Sequence, residues 1–131
     1  MSRLRTLHVD PERGFGGGET QVLGLLRHLA GRGHACWVAT PPEGGLAARL
    51  RQLELASVVP LVCRTGHDPR AGLRLRGWLR RHPVDLVHLH TARALSLAPY
   101  LPRRIPRVLT RRMDYPPRGA RRYVAWLYGQ V

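Results

Sequence analysis

Short apolar runs alternate with amphipathic segments along the chain, and this alternation restricts the fold more than any other feature of the sequence. The short runs are typical of strands that are buried in a parallel sheet. Segment 19–32, by contrast, carries apolar residues at the i, i+3, i+4 and i+7 spacing that gives a helix one apolar face. The pattern predicts an α/β fold, a Rossmann-like open parallel sheet with helices on both faces.

Turn residues between these segments set the predicted bounds. Strands are predicted over 5–9, 35–39, 58–62, 85–90 and 107–110. Helices are predicted over 19–32, 46–53, 69–82, 92–101 and 121–128. Asp68 should cap the third helix, and Pro99 should kink or shorten the fourth. Residues 111–119 are predicted as a loop, and since no strand follows the last helix, we expect a domain that is incomplete at its C-terminus.

The chain is strongly basic, yet its charge selects no partner. Its 131 residues include 22 basic ones, all arginine, against 8 acidic ones, for a formal net charge of +14. The absence of lysine indicates a compositional bias, and the arginines are spread from Arg3 to Arg122 instead of clustering among aromatic residues. Nucleic-acid binding is therefore not favoured. A non-enzymatic arginine-rich module that binds nucleic acid or an anionic membrane is the alternative function.

Cysteine usage and hydropathy indicate a cytoplasmic protein. Cys36 and Cys63 lie in or beside apolar runs, which favours buried thiols over a disulfide. No run reaches the roughly 18 apolar residues of a membrane helix. The first ten residues lack the apolar stretch of a secretory signal.

A glycine-rich segment, GFGGGET over residues 14–20, separates the first strand from the first helix. Glycines let the backbone turn sharply and let a ligand approach amide groups at the positive end of a helix. In doubly wound sheets ligands bind at the carboxyl ends of the strands, where this segment lies. A phosphate or a sugar would suit the segment, while a plain tight turn explains its glycines equally well.

Two common nucleotide sites do not fit the segment. Glu19 stands where a dinucleotide fingerprint needs its third glycine, and no acidic residue ends the second strand, so NAD is not favoured. A Walker A loop needs a lysine, and the chain has none.

Two histidines end the fourth strand. His88 and His90 are two residues apart and share a face of the sheet, with His90 nearer the carboxyl end, and Thr91 is placed to cap the next helix. We therefore take His90 as the candidate catalytic residue and His88 as structural. No third metal ligand stands at a recognisable spacing from this pair, so no metal is expected.

Two arginines follow the fifth strand at the same edge of the sheet. The guanidinium groups of Arg111 and Arg112 could hold a carboxylate or phosphate there. Pairing with Asp114, or simple solvation, is the alternative.

The order of these motifs resembles the amino-terminal domain of GT-B glycosyltransferases, and it is closest to glycosyltransferase family four. The resemblance runs from about Leu4 to the end of the chain. It rests on stretches that follow one another in order: GGGET at 16–20, LLRHL at 25–29, GRGH at 31–34, PVDLVHLH at 83–90 and PRVLT at 106–110.

This resemblance implies an acceptor-binding domain, with the nucleotide sugar bound by a carboxyl-terminal domain that the chain lacks. Gly16, Gly17 and Gly18 match the family's loop near the reaction centre, and His90 matches the residue at the mouth of the fourth strand. The expected substrate-binding residues also include Glu19, Thr91, Arg111 and Arg112. Many relatives have an active-site histidine where this chain has the two arginines.

The implied reaction moves a sugar from a nucleotide sugar to a hydroxyl group of a glycan or lipid-linked acceptor. Lipopolysaccharide and other cell-envelope glycans are the expected acceptors, with no required cofactor or metal. The resemblance further implies a location at the inner face of the membrane, with peripheral contact to anionic lipid. The chain alone is expected to be inactive.

Overall fold

The computed structural model of the protein describes residues 3–64, 67–110, 126 and 129–131. Within them five strands run over Arg5–Val9 (β1), Ala35–Thr40 (β2), Ser57–Pro60 (β3), Leu86–Leu89 (β4) and Arg107–Leu109 (β5). Helices run over Gly17–Gly31 (α1), Gly45–Leu53 (α2), Pro69–Arg81 (α3) and Ala92–Leu95 (α4). The predicted α/β alternation is confirmed.

The strands form one parallel sheet in the order β3-β2-β1-β4-β5. β1 is central and pairs with β2 on one side and β4 on the other. Its register with β4 places His8 opposite His88 and Val9 opposite Leu89. Because all strands are parallel, their carboxyl ends meet at one edge of the sheet, which we call the carboxyl edge.

Helices cover both faces of this sheet, as predicted. On one face, Val22 and Leu26 of α1 and Leu50 of α2 pack in one apolar cluster with Cys36 and Val38 of β2. The cluster on the other face joins α3 and α4 to the sheet through residues that include Leu75, Leu79, Leu95, Leu7 and Leu89. Both cysteines are buried free thiols, as predicted.

The start of α3 shows how a predicted cap works in the fold. Asp68 accepts hydrogen bonds from the amides of Arg70 at 3.0 Å and Ala71 at 3.4 Å, and its second oxygen accepts from the amide of Arg64 at 3.0 Å. These amides stabilise the carboxylate and lower the pKa of Asp68. The cap fixes the helix that leads the chain from β3 across to β4.

Some bounds differ from the prediction. The helix predicted over 92–101 is shorter: α4 ends at Leu95, and Pro99 lies in a separate 3₁₀ turn, Ala98–Tyr100. Proline has no amide hydrogen to donate to an α-helix, and this accounts for the break. β3 begins and ends earlier than predicted, at Ser57 and Pro60.

Two predicted elements, the loop over 111–119 and the helix over 121–128, lie outside the described residues, apart from Trp126, which is helical. Among the residues that the structure describes, no helix combines the length and apolar character needed to cross a membrane.

We predict opposite effects for two alanine substitutions in α3. A Cβ atom at Gly72 would lie 2.3 Å from the Tyr100 ring, whereas a Cβ atom at Gly77 would have no neighbour within 4 Å. Gly72→Ala should therefore lower the free energy of unfolding by about 1–3 kcal/mol. Gly77→Ala should raise it by about 0.5–1 kcal/mol, because alanine is the better helix former. Urea unfolding of both variants measures this difference, and equal effects would contradict the close packing of α3 on Tyr100.

Candidate functional site

The glycine loop, residues 14–18, connects β1 to α1 at the carboxyl edge. Gly16 is the N-cap of α1, and having no side chain it leaves the cap without a side-chain hydrogen bond. The Glu19 carboxylate instead reaches back and accepts from the amide of Gly16 at 3.0 Å. The amides of Gly17 and Gly18 lie in the first turn, where a helix has no carbonyl partner for them. The positive end of α1 therefore faces the carboxyl edge.

A second glycine pair, Gly44 and Gly45, holds this loop in place. The amide of Gly45 donates to the carbonyl of Arg13 at 3.1 Å, and a Cβ atom at Gly45 would lie 2.7 Å from Cβ of Phe15. Arg49 covers the Phe15 ring, with its guanidinium carbon 5.0 Å from the ring centroid. Sequence analysis did not single out this pair, because only the packing of α2 beside the loop shows why it needs glycine.

Two carboxyl groups lie behind the loop. Asp10 follows β1 and is fully buried, and Glu19 is 9% exposed. Burial and the neighbouring carboxyl of Glu19 raise the pKa of Asp10 to about 7. Oδ1 of Asp10 accepts from the amide of Glu12 at 3.1 Å, whereas the buried Oδ2 has no hydrogen-bond partner among the described residues. Asp10 was not predicted as a site residue, although an acidic residue directly after an apolar strand was a usable signal.

Three histidines from the two central strands form the histidine cluster: His8 of β1, His88 of β4 and His90 just after β4. Nδ1 of His8 lies 2.9 Å from Nε2 of His90, at hydrogen-bond distance. The rings of His88 and His90 stack with centroids 3.9 Å apart. His8 is 1% exposed, His90 is 2% exposed and His88 is half-buried.

Hydroxyl groups contact the cluster from outside. Oγ1 of Thr6 lies 3.0 Å from Nε2 of His8 and donates to Sγ of Cys36 at 3.4 Å. The hydroxyl of Thr110 contacts Nε2 of His88. Burial, aided by His88, lowers the pKa of His8 to about 3, so that this ring is neutral at physiological pH.

The cluster also meets the first requirement of a metal site. One ring nitrogen from each histidine lies within 4.8 Å of the other two. Only His88 and His90 could be found from the sequence, because His8 is distant along the chain and reaches them only through the pairing of β1 with β4.

The structure places most of the predicted site residues at the carboxyl edge. Gly16, Gly17, Gly18 and Glu19 open α1, as expected for the loop. Thr91 caps α4, accepting from the amide of Ala94 at 3.0 Å. His90 is more buried than His88, although it was predicted to be the nearer of the two to a ligand. Arg111 and Arg112, the remaining predicted site residues, lie outside the described residues.

Comparison with known families gives one match, which covers most of the chain. The sequence profile of Glycosyltransferase Family 4 matches residues 15–131. No protein of curated function matches the sequence significantly.

Two solved structures share the fold. A glycosyltransferase from Rickettsia africae has a TM-score of 0.67 and 16% sequence identity over 88% of this chain. HepE of Anabaena, whose crystal structure contains UDP and glucose, has a TM-score of 0.61 and 20% identity over 82%. The matched parts are 31% and 29% of those two proteins, so the chain spans about a third of their length.

The carboxyl pair predicts a measurable pH dependence. Because the pKa of Asp10 is raised to about 7 by folding, its stabilising contribution is complete below its unfolded pKa of 3.8 and is lost as the pH rises through 7. The total is on the order of 4 kcal/mol. Asp10→Asn should remove this slope, so that the variant gains stability relative to the unmodified chain from pH 4 to pH 8.

Urea unfolding in the presence of EDTA at several pH values measures this difference. Asp85→Asn is the control, since Arg5 lowers the pKa of Asp85 and its contribution is lost as the pH falls instead. If the stability of Asp10→Asn and of the unmodified chain changed with pH in parallel, the raised pKa of Asp10 would be contradicted.

Proposed function

Because this chain belongs to glycosyltransferase family 4, we propose that it is the acceptor-side part of an enzyme that transfers a sugar from a nucleotide sugar to a hydroxyl group. The acceptor is a glycan or a lipid-linked glycan, such as lipopolysaccharide or another cell-envelope glycan. The observation that carries the proposal is the glycine loop, which presents the positive end of α1 at the carboxyl edge of a family-4 fold.

The space over the loop supports this role. A Cβ atom at Gly17 would have no neighbour within 4 Å, so the packing of the protein does not explain why this position is glycine. Amide groups at the start of a helix bind phosphate and other anionic oxygens. A sugar phosphate at this point would lie directly against the backbone.

The carboxyl pair, Asp10 and Glu19, positions the glycine loop. Glu19 accepts from the amide of Gly16, and the buried Asp10 lies close enough to Glu19 for the two carboxyl groups to interact. A loop fixed before the ligand arrives loses little entropy on binding. In this proposal Asp10 is a positioning residue that acts through Glu19.

His90 and Thr91 lie at the end of β4, across from the loop. The amide of His90 donates to the carbonyl of Val9 at 3.1 Å, which fixes the end of β4 against β1. We propose His90 as the catalytic residue on the acceptor side, with Thr91 placing α4 beside it, and Arg111 and Arg112 as anion-binding residues. The transfer step needs no metal or cofactor.

The nucleotide sugar is assigned to a second domain. HepE, whose fold this chain shares, was crystallised with UDP and glucose, and this chain matches less than a third of it. Transfer requires donor and acceptor to be held together in near-attack geometry. The part described here supplies one side of that cleft, so the isolated chain should not catalyse transfer.

A lipid-linked acceptor would bring the chain to the inner face of the membrane. The exposed side of α3 carries arginines and Leu73, which is 62% exposed. Arginines near an anionic surface each contribute about 1 kcal/mol of attraction, and an exposed leucine can enter the headgroup region. We propose that α3 makes this peripheral contact.

Sedimentation with phosphatidylglycerol vesicles tests the membrane contact. We expect weak binding at low salt that is mostly lost above about 0.1 M salt, where charges are screened within roughly 10 Å. Arg70→Gln with Arg74→Gln on α3 should reduce binding. Arg27→Gln on α1, combined with Arg32→Gln directly after α1, removes the same charge elsewhere and should reduce binding less. Equal losses would show that net charge, not α3, attracts the vesicles.

Titration with glucose 1-phosphate, followed by NMR of the labelled chain, tests the loop. We expect the amide signals of Gly16, Gly17 and Gly18 to shift in a saturable way, and inorganic phosphate at equal ionic strength to shift them less. Gly17→Val should weaken binding at least tenfold with little effect on unfolding, since the new side chain fills space that the ligand needs. Gly24→Val in the middle of α1 is the matched control, because its Cβ atom also has no neighbour within 4 Å. Unchanged binding by Gly17→Val would contradict the proposal.

A further inference from the structure

The histidine cluster includes His90, the proposed catalytic residue, but it has three features that a catalytic role for His90 alone does not explain. Its three rings come from β1 and β4, they are buried or half-buried, and one nitrogen of each lies within 4.8 Å of the others. From this arrangement we propose that His8, His88 and His90 bind one divalent transition-metal ion, with Zn²⁺ as the best fit. The inference does not rest on the proposed function.

The tautomer of His8 suits a metal ligand. The Thr6 hydroxyl has one proton and donates it to Sγ of Cys36. In this assignment the Thr6 oxygen accepts from the His8 ring, 3.0 Å away, and the proton of the neutral ring is placed on Nε2. Nδ1 of His8 therefore carries the lone pair, and this is the nitrogen that faces His90.

His88 has the same arrangement. Its Nε2 contacts the Thr110 hydroxyl, so Nδ1 is the ligating atom in this proposal. Histidines that bind metals almost always donate their second N–H to an oxygen, which fixes the tautomer and the ring orientation. In the cluster, Thr6 and Thr110 supply such an oxygen for His8 and His88.

An ion requires two adjustments of the side chains. Imidazole nitrogens that hold Zn²⁺ at about 2.0–2.1 Å in tetrahedral geometry are about 3.3 Å apart, so Nδ1 of His8 and Nε2 of His90, now 2.9 Å apart, must separate by a few tenths of an ångström. The His88 ring stacks on the His90 ring at an interplanar angle of 18°, so it must also rotate out of the stack to aim its lone pair at the same ion. The proton now between His8 and His90 moves from Nε2 to Nδ1 of His90, and the ring stays neutral.

The ligand chemistry selects the metal. Three neutral imidazoles without a carboxylate suit Zn²⁺, Co²⁺ and Ni²⁺, whereas Mg²⁺ and Ca²⁺ prefer oxygen ligands. An ion at this point would join the two central strands of the sheet. Its binding would raise the thermal stability of the chain in proportion to the logarithm of the metal concentration.

Titration of the metal-free chain with Co²⁺, which reports tetrahedral coordination by its visible absorption, tests the site. We expect one ion per chain, displacement of Co²⁺ by Zn²⁺, and a rise in Tm with Zn²⁺. His8→Gln, His88→Gln and His90→Gln should each weaken binding at least tenfold, and Thr6→Val should weaken it about tenfold or more. His28→Gln is the control, because His28 is exposed on α1 and forms no such group with the other residues that the structure describes.

A second measurement on the unmodified chain keeps the test decisive if the variants fail to fold. X-ray absorption of the Zn²⁺-loaded chain should show three imidazole nitrogens at about 2.0 Å. The proposal is overturned if the chain binds no ion, if the bound ion has sulfur or only oxygen neighbours, or if His28→Gln weakens binding as much as the cluster variants.

Discussion

The structure depends on how β1 and β4, the two central strands, bury polar side chains between them. His8 and His90 are almost completely enclosed, and a buried polar group without a partner costs about 1–3 kcal/mol. Thr6, on the same strand, lies at hydrogen-bond distance from one nitrogen of His8, but the hydrogen bond between the His8 and His90 rings forms only when the two strands pair in this register. The same register brings the end of β1, with Asp10, beside the end of β4, with His90 and Thr91.

The pairing of β1 with β4 also determines where the glycine loop lies. Asp10 directly follows β1, and the Glu19 carboxyl lies near it. Glu19 in turn accepts a hydrogen bond from the amide of Gly16. On the other side, Gly44 and Gly45 let α2 begin directly against Arg13 and Phe15. The loop is thus ordered by contacts behind it and beside it, while the space over Gly17 stays open.

Patterns of neighbouring residues were enough to predict the strands and helices. The histidine cluster and the carboxyl pair could be predicted only with knowledge of which strands pair in the sheet. The bounds of β1 and the Asp68 cap of α3 follow from residues that are neighbours in sequence, and both were predicted correctly. His8 joins His88 and His90, and Asp10 joins Glu19, only through strand order and packing. For this reason sequence analysis found two histidines where the fold brings three together, and it missed Asp10.

The most direct test of the proposed function is to locate, by NMR of the labelled protein, the residues at which ligands bind. Cell-envelope oligosaccharides and single-stranded DNA should be titrated in parallel, since the DNA tests the alternative of a general arginine-rich module. We expect an oligosaccharide to shift the amide NMR signals of residues 14–20 and 90–91. DNA should cause only shifts that high salt removes. Saturable, salt-resistant DNA binding, with no oligosaccharide signal at the carboxyl edge, would contradict the proposed function.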